Sequence, residues 1–230
     1  MKNKKIISFD MDGTLTSFSY VDSVWLEGVP KLYAEKYGLS LEEAIKIVQE
    51  EYNKVGDEKL EWYNIFYWFR KFGFDKSPYQ LLEEYLDRLF VYPEVEDVLS
   101  ELSKTSKLIL TTNSRREFIE AEMKKLKLDR YFDRIFSITS DFEEVKKSKK
   151  SFINVCEILR ITPQELVHIG DHWEHDFLFP RELGITTFFL DRNSKIKQIE
   201  VKPEHKEFIV SDLTEFYNKL TEKNNAGQSI

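Results

Sequence analysis

The chain has 230 residues, 41% of them hydrophobic, enough for one substantial core or for a core with a small accessory domain, which excludes a disordered or fibrous class. Its formal net charge is −7 with acidic and basic residues interspersed, so it lacks the concentrated basic footprint of a nucleic-acid binder. The single cysteine, Cys156, has no intramolecular partner and falls in the helical pattern Phe152, Val155, Cys156, Leu159, as expected of packing in a reducing cytoplasm.

Met1 to Lys5 leads directly into Ile6, Ile7, Ser8 and Phe9. This apolar run is too short for a signal peptide or a membrane span, so neither export nor a membrane partner is expected. Lys5 to Phe9 reads as a first strand. Between Phe18 and Leu89 strand alternation gives way to helical periodicity. Asp22 to Tyr37 predicts a helix interrupted near Gly28 and Pro30, Ser40 with Glu43 opens a second, Asp57 precedes a third carrying Leu60, Tyr63, Ile65 and Phe66, and Ser77-Pro78 opens another. Aromatics crowd this stretch: Trp62, Tyr63, Phe66, Tyr67, Trp68, Phe69, Phe72 and Phe74. They read first as a small bundle core, with one or two free to line a pocket.

Strand-like runs then recur at Lys107 to Thr111, Arg134 to Ile138, Leu166 to Ile169 and Thr186 to Leu190. Between them Ser114 with Glu117, and Thr162 with Pro163 and Glu165, match helix-opening capping boxes, and Gly184 reads as a helix stop. The alternation is that of βαβ units, so the fold class is α/β with a mostly parallel sheet. The expected organisation is a core from residues 1–17 and 90–221, a helical insert over 18–89, and a tail from 222 to 230 with little to bury.

Chemistry-bearing residues gather at the strand ends. Asp10-Met11-Asp12-Gly13-Thr14-Leu15 follows the first strand directly, and ligands in open α/β sheets bind at that edge. Two acids there need a metal or hydrogen bonds to offset their burial, and the pair can supply a nucleophile and a proton-handling neighbour; the plainer alternative is a solvated Asp-rich turn. At the next strand end Thr112-Asn113-Ser114 is either a phosphate cradle or a set of local caps. Lys146-Lys147-Ser148-Lys149-Lys150 is either a solvated basic stretch or the source of one lysine that neutralises a buried carboxylate. Ile169-Gly170-Asp171-His172-Trp173-Glu174-His175-Asp176 ends another strand, and Asp171 and Asp176 complete an oxygen-rich site suited to magnesium. A zinc site from His172, Glu174 and His175 is disfavoured by the absence of a nearby cysteine and by the acidic company.

In this order the four stretches resemble the four motifs of the haloacid dehalogenase superfamily, from Ile6 to about Arg192. The resemblance implies a Rossmann-like core with strand order 5-4-1-2-3 and a helical cap between the first two motifs. It implies a magnesium-dependent phosphatase in which Asp10 is the nucleophile and Asp12 the acid and later the base. Thr112 and the Asn113 backbone would hold the phosphoryl group. Asp10, the Asp12 carbonyl and Asp171 would hold Mg2+, with Asp176 in support. Many relatives carry Lys-Pro at the third motif, where this chain has several lysines and no proline; gapless counting from Asp171 selects Lys146, with Lys147 and Lys149 as alternatives. Pro180 and Leu183 stand where small residues are common, which concerns packing.

The expected partner is a small phosphorylated substrate. Asp12 argues against dehalogenation, whose enzymes generally lack that acid, and no cap lysine motif suggests phosphonate hydrolysis. A phosphomutase shares the same residues. A non-catalytic binding protein on the same fold is the reading from a different class, against which the intact Asp10, Asp12 and Asp171 stand.

Overall fold

In the computed structural model, which describes residues 5–225, the strand-like runs lie side by side in one parallel sheet. The strands are β1 (Ile6–Phe9), β2 (Lys107–Thr112), β3 (Arg134–Ser137), β4 (Leu166–Gly170), β5 (Thr186–Leu190) and β6 (Ile209–Val210), in the order β3-β2-β1-β4-β5-β6. The order of the first five is the one the resemblance implied. β6 extends the sheet beyond β5; at two residues it is too short to show periodicity in the sequence. Because β1 is flanked by β2 on one side and β4 on the other, the chain reverses its direction of winding at β1, and the carboxyl ends of these strands open a crevice there.

The two faces of the sheet differ. Ile7, Phe9, Leu108, Leu110, Val167 and Ile169 pack with Val98, Leu99 and Leu102 of the helix Val95–Thr105 and with Leu213, Phe216 and Leu220 of the helix Leu213–Asn225. On the opposite face Ile6, Ile109 and Leu166 meet Phe152, Val155 and Cys156 of the helix Lys149–Leu159. Strand side chains alternate, so Ser8, Thr111 and His168, two residues further along, fall on this second face and are wholly buried. Pairing sets Ser8 level with His168 and Phe9 level with Leu110 and Ile169, which brings Asp10 out at the crevice.

Between β1 and β2 the insert begins with one continuous helical run. An α-helix at Ser19–Ser23 passes into a π-helical stretch at Val24–Gly28 and then into Val29–Tyr37. The expected interruption near Gly28 and Pro30 is this wider turn. Pro30 lacks an N–H for the regular ladder, and Gly28 lets the helix approach Tyr85, whose ring would lie 2.9 Å from an added Cβ. The same pairing recurs at Trp173–Leu178, a π-helical stretch that leads into Phe179–Glu182 with Pro180 near its start. Ser40 and Glu43 form the expected capping box on Leu41–Val55. Tyr20, Val24, Tyr52, Ile65, Trp68 and Phe72 are buried in a cluster of the insert's own, joined from the other side by Phe118.

Three expectations change. Ser114 does not cap the helix Arg116–Leu126; Arg115 is at that position and the Arg116 N–H is received by the Ser140 hydroxyl at 3.0 Å. The Thr162–Glu165 box forms, but only a single 3-10 turn fits before β4 begins at Leu166. The last helix runs on to Asn225, past the point where a tail was expected at 222; residues 226–230 lie outside the described residues. Among the described residues no helix is long and apolar enough to cross a membrane.

Candidate active site

Asp10 continues β1, its N–H donating to the Ile169 carbonyl at 2.9 Å. The chain then turns sharply: the N–H groups of Thr14, Leu15 and Thr16 all converge on the Met11 carbonyl at 2.8–3.1 Å. Gly13 in this turn has φ +84°, and a Cβ there would lie 2.6 Å from the Asp171 carboxyl carbon. Glycine therefore serves both the left-handed backbone and the close approach of Asp171. Gly170 is needed in the same way, since a Cβ there would overlap the carboxyl of Asp176.

The buried lysine is Lys147. Its ammonium contacts the Asp10 carboxylate and lies 2.6 Å from Asp176 Oδ1, with all three side chains nearly inaccessible. Lys146, the residue selected by counting, points the other way and pairs with Asp57 at 3.1 Å and Glu58 at 3.5 Å in the insert. The count failed because it extended helical register through a segment that is not helical: the helix begins at Lys149, and Glu143 has φ +53°. In an extended segment a shift of one residue reverses the side chain. Lys147 is fixed by its backbone, whose N–H donates to Asn113 Oδ1 at 2.7 Å and whose carbonyl accepts from the His175 ring Nδ1 at 2.8 Å. Lys149 pairs with Glu182.

Asp176 has both oxygens committed. Oδ1 meets Lys147 and His168 Nε2 at 3.0 Å, and Oδ2 accepts from the His172 N–H at 3.0 Å. Burial acts to raise its carboxyl, and the Lys147 charge with the His168 hydrogen bond outweighs that, holding it well below the usual carboxylate range. His168 in turn bonds Ser8 Oγ at 2.8 Å, and Ser8 bonds Thr111 at 2.9 Å, so a buried polar chain runs beneath the crevice. Burial pushes the Asp10 carboxyl up to about 8, with Lys147 opposing and Asp176 and Asp171 adding to the rise. Lys147 is held charged, since its two carboxylates more than offset the opposing effect of burial.

Asp12 is bonded by the Ser114 hydroxyl through Oδ2, while its buried Oδ1 has no hydrogen-bond partner. Burial raises its carboxyl to about 6, against the Ser114 bond, with Asp171 adding to the rise. Thr112 is buried at the end of β2, and its hydroxyl accepts from the Ser114 N–H at 3.2 Å. Asn113 lines the cavity, its side-chain Oδ1 accepting from the Lys147 N–H and its carbonyl from the Thr139 hydroxyl at 2.9 Å. Carboxylate oxygens of Asp10, Asp171 and Asp176 lie within 4.8 Å of one another; the Asp12 carboxylate is outside that group. His172 and His175 are committed to loop structure, His172 Nδ1 accepting from the His175 N–H at 3.2 Å, which leaves no His-based cluster among the described residues.

A cavity of about 330 Å³ lies over these groups, closed on the far side by Trp25, Tyr52 and Trp62 of the insert. Sequence reasoning missed Ser114 as the partner of Asp12, and Ser8, Thr111, His168 and His175 as the support of Lys147 and Asp176. A signal was present in that Ser8, Thr111 and His168 each interrupt an otherwise apolar strand.

A parallel α/β sheet with a carboxylate and lysine centre at its winding switch, roofed by a helical insert, defines the class of enzyme. Residues 4–184 match the model of haloacid dehalogenase-like hydrolases, and the chain belongs to that family. It is 26% identical over 187 residues to the pyrophosphatase PpaX of Bacillus cereus (strain Q1), covering 79% of this chain and 80% of that protein. It is 25% identical over 166 residues to the GMP/IMP nucleotidase YrfG of Escherichia coli (strain K12), covering 72% and 73%. Among solved structures it is similar to a HAD phosphatase from Thermococcus onnurineus, with TM-score 0.78 and 26% identity over 94% of this chain and 97% of that one. It shares its fold with the putative HAD-hydrolase YfnB of Bacillus subtilis, with TM-score 0.66 and 19% identity over 96% of this chain and all of that one.

Proposed function

We propose that this hydrolase is a magnesium-dependent phosphatase that cleaves a small phosphate monoester through an aspartyl-phosphate on Asp10, in the cytoplasm. The observation that carries the reading is the different setting of the two first-motif acids: Asp10 is paired with buried Lys147, which opposes the effect of burial on its carboxyl, and shares the acidic group with Asp171 and Asp176, whereas Asp12 lies outside that group and is held by the Ser114 hydroxyl. A nucleophile must be ionised, and an acid must hold a proton to give. The phosphatase names of PpaX and YrfG, and of the Thermococcus protein, support the same reaction class.

The Asp10 and Asp171 carboxylates, with the Asp12 carbonyl, would hold Mg2+, a hard cation suited to an all-oxygen set. Asp176 serves in support, because its oxygens are already taken by Lys147, His168 and the His172 N–H. When bound, the cation offsets the charge of an anionic nucleophile meeting an anionic substrate. Lys147 orients Asp10 and adds a second positive charge beside it. Thr112 and the Asn113 N–H receive the phosphoryl oxygens, Asp10 forms the new O–P bond as the ester O–P bond breaks, and Asp12 protonates the leaving oxygen. Asp12, now ionised, takes a proton from the water that releases phosphate. Ser114 keeps the Asp12 carboxyl aimed in both steps.

The test is to incubate the protein with p-nitrophenyl phosphate and Mg2+, quench with borohydride, and locate the modified peptide by mass spectrometry. Turnover with reduction at Asp10 is expected. Turnover without an Asp10 adduct, under conditions that trap a known acyl-phosphate enzyme, would replace the covalent route with direct hydrolysis.

A further inference from the structure

The far wall of the cavity carries features that phosphoryl transfer does not use. Trp25 stacks on Phe118 with centroids 5.7 Å apart, meets Tyr52 edge-on at 5.9 Å, and Tyr52 lies 6.5 Å from Trp62. The Tyr52 hydroxyl donates to the Trp25 carbonyl at 3.2 Å and the Tyr63 hydroxyl to the Asp57 carbonyl at 3.1 Å. These tyrosines therefore offer the cavity their rings and not free hydroxyls.

One carboxylate stands in this wall. Phe18, Asp22 and Trp25 are spaced four and three apart, so they share one face of the first helical run, and all three line the cavity. That face starts at the catalytic turn, because the Phe18 ring would lie 2.8 Å from a Cβ on Gly13. Asp22 is then one helical turn further out, about 6 Å by helix rise. It is exposed, and its carboxylate has no hydrogen bond or ion pair with any described residue. Partial desolvation by the surrounding wall raises its carboxyl above the ordinary value. Of the basic groups on the cavity, Lys147 pairs with Asp10 and Asp176, and Arg115 pairs through Nε with Glu117 at 3.1 Å.

Aromatic faces attract cations through the ring quadrupole, and an unpaired carboxylate beside them adds a full charge of the same sign. We propose that the natural substrate is a phosphate monoester whose leaving alcohol carries an organic ammonium, held between the Trp25–Tyr52–Trp62 wall and the Asp22 carboxylate. The proposal deepens the phosphatase reading and rests on it: the ester O–P bond breaks, Asp10 takes the phosphoryl group, and the amino alcohol departs with the Asp12 proton. A neutral heterocycle would use the rings but leave Asp22 without a counter-charge.

The experiment compares kcat/KM, in Mg2+, for choline phosphate and its neutral isostere 3,3-dimethylbutyl phosphate, with p-nitrophenyl phosphate as a generic substrate. The cation is expected to be preferred by about tenfold or more, and the preference to fall at least about threefold in Asp22→Asn and in Trp25→Leu. The ratio is internal to each protein, so a partly unfolded variant still reports it. A ratio near one in the wild type, a ratio that persists in Asp22→Asn, or guanosine monophosphate outpacing choline phosphate overturns the proposal. p-Nitrophenyl phosphate hydrolysed with no cation preference overturns this inference alone, and no hydrolysis of any of these esters overturns the phosphatase reading with it.

Discussion

The end of the sheet and the helical insert face each other across one cavity, and they are held by different forces. At the sheet end the buried charged groups are held by directional partners: Lys147 between Asp10 and Asp176, Asp176 by His168 and the His172 N–H, one oxygen of Asp12 by Ser114. The insert wall is made of rings that touch edge to face, such as Tyr52 on Trp68 at 4.6 Å and Tyr33 on Phe72 at 5.1 Å. Directional charge pairs define positions to a fraction of an ångström and tolerate little change, whereas apolar packing is non-directional and survives substitution of similar volume. One side is suited to a fixed chemistry and the other to a choice of leaving group.

The largest break in that comparison comes from the nucleophile. Asp10→Asn is expected to lower kcat on p-nitrophenyl phosphate by about 10⁴ or more, since an amide oxygen is a poor nucleophile, with the far-UV circular dichroism unchanged. Initial-rate measurements decide it, and loss of less than about tenfold would assign the attack elsewhere.

Next comes the charge pair. Lys147→Met leaves Asp10 and Asp176 buried beside each other without their cation. Breaking a buried pair by removing one partner costs about 3–5 kcal/mol. Urea unfolding should show a loss of that order, together with loss of turnover; unchanged stability would mean that the carboxylates simply take up protons.

Glu122 sharpens the contrast from within the sheet side. It is fully buried, accepts from the Thr16 hydroxyl at 3.2 Å through one oxygen, and its other oxygen has no partner. Burial holds its carboxyl well above the ordinary 4.5, with the Asp12 charge adding. It is thus carried into the fold protonated, while the unfolded chain releases the proton above 4.5. Native stability is therefore greatest below that pH and falls as pH rises toward the folded value, by up to about 1.4 kcal/mol per pH unit. Glu122→Gln does not titrate, so its stability relative to wild type should climb over the same window. Parallel thermal-melt curves for the two proteins from pH 5 to 8 would contradict this.

The smallest effect belongs to the ion pair that spans the two regions. Lys146 meets Asp57 and Glu58 with the acids largely exposed, and such pairs contribute about 1 kcal/mol or less. Lys146→Ala should stay within about 1 kcal/mol in urea unfolding and keep most of its turnover. Abolished turnover with an intact fold would return the catalytic lysine to position 146.

The strands were legible because buried parallel strands read as short apolar runs between helical patterns, as Ile6 to Phe9 and Leu166 to Ile169 do, whereas their order came only from the family resemblance. The Ser40–Glu43 cap was legible because its donors and acceptors lie within four residues. The same local logic assigned Ser114 to a cap, and there a long-range partner won: the hydroxyl donates to Asp12, which no short-range pattern reveals. The π-helical turns before Pro30 and Pro180 were visible only as a proline in a helical pattern, since the wider ladder depends on what packs against it.

By itself the sequence determined the α/β class, the strand ends that carry Asp10, Asp12, Thr112, Asp171 and Asp176, and the helical character of the insert, because each of these follows from periodicity and residue type over a few positions. Only the tertiary structure decided which lysine reaches Asp10, that Asp176 is consumed by His168 and Lys147, and that Asp22 faces the cavity unpaired among rings. Those outcomes depend on the direction of single side chains across contacts of up to 137 residues in sequence, where one step of register in an extended segment turns a side chain to the opposite side.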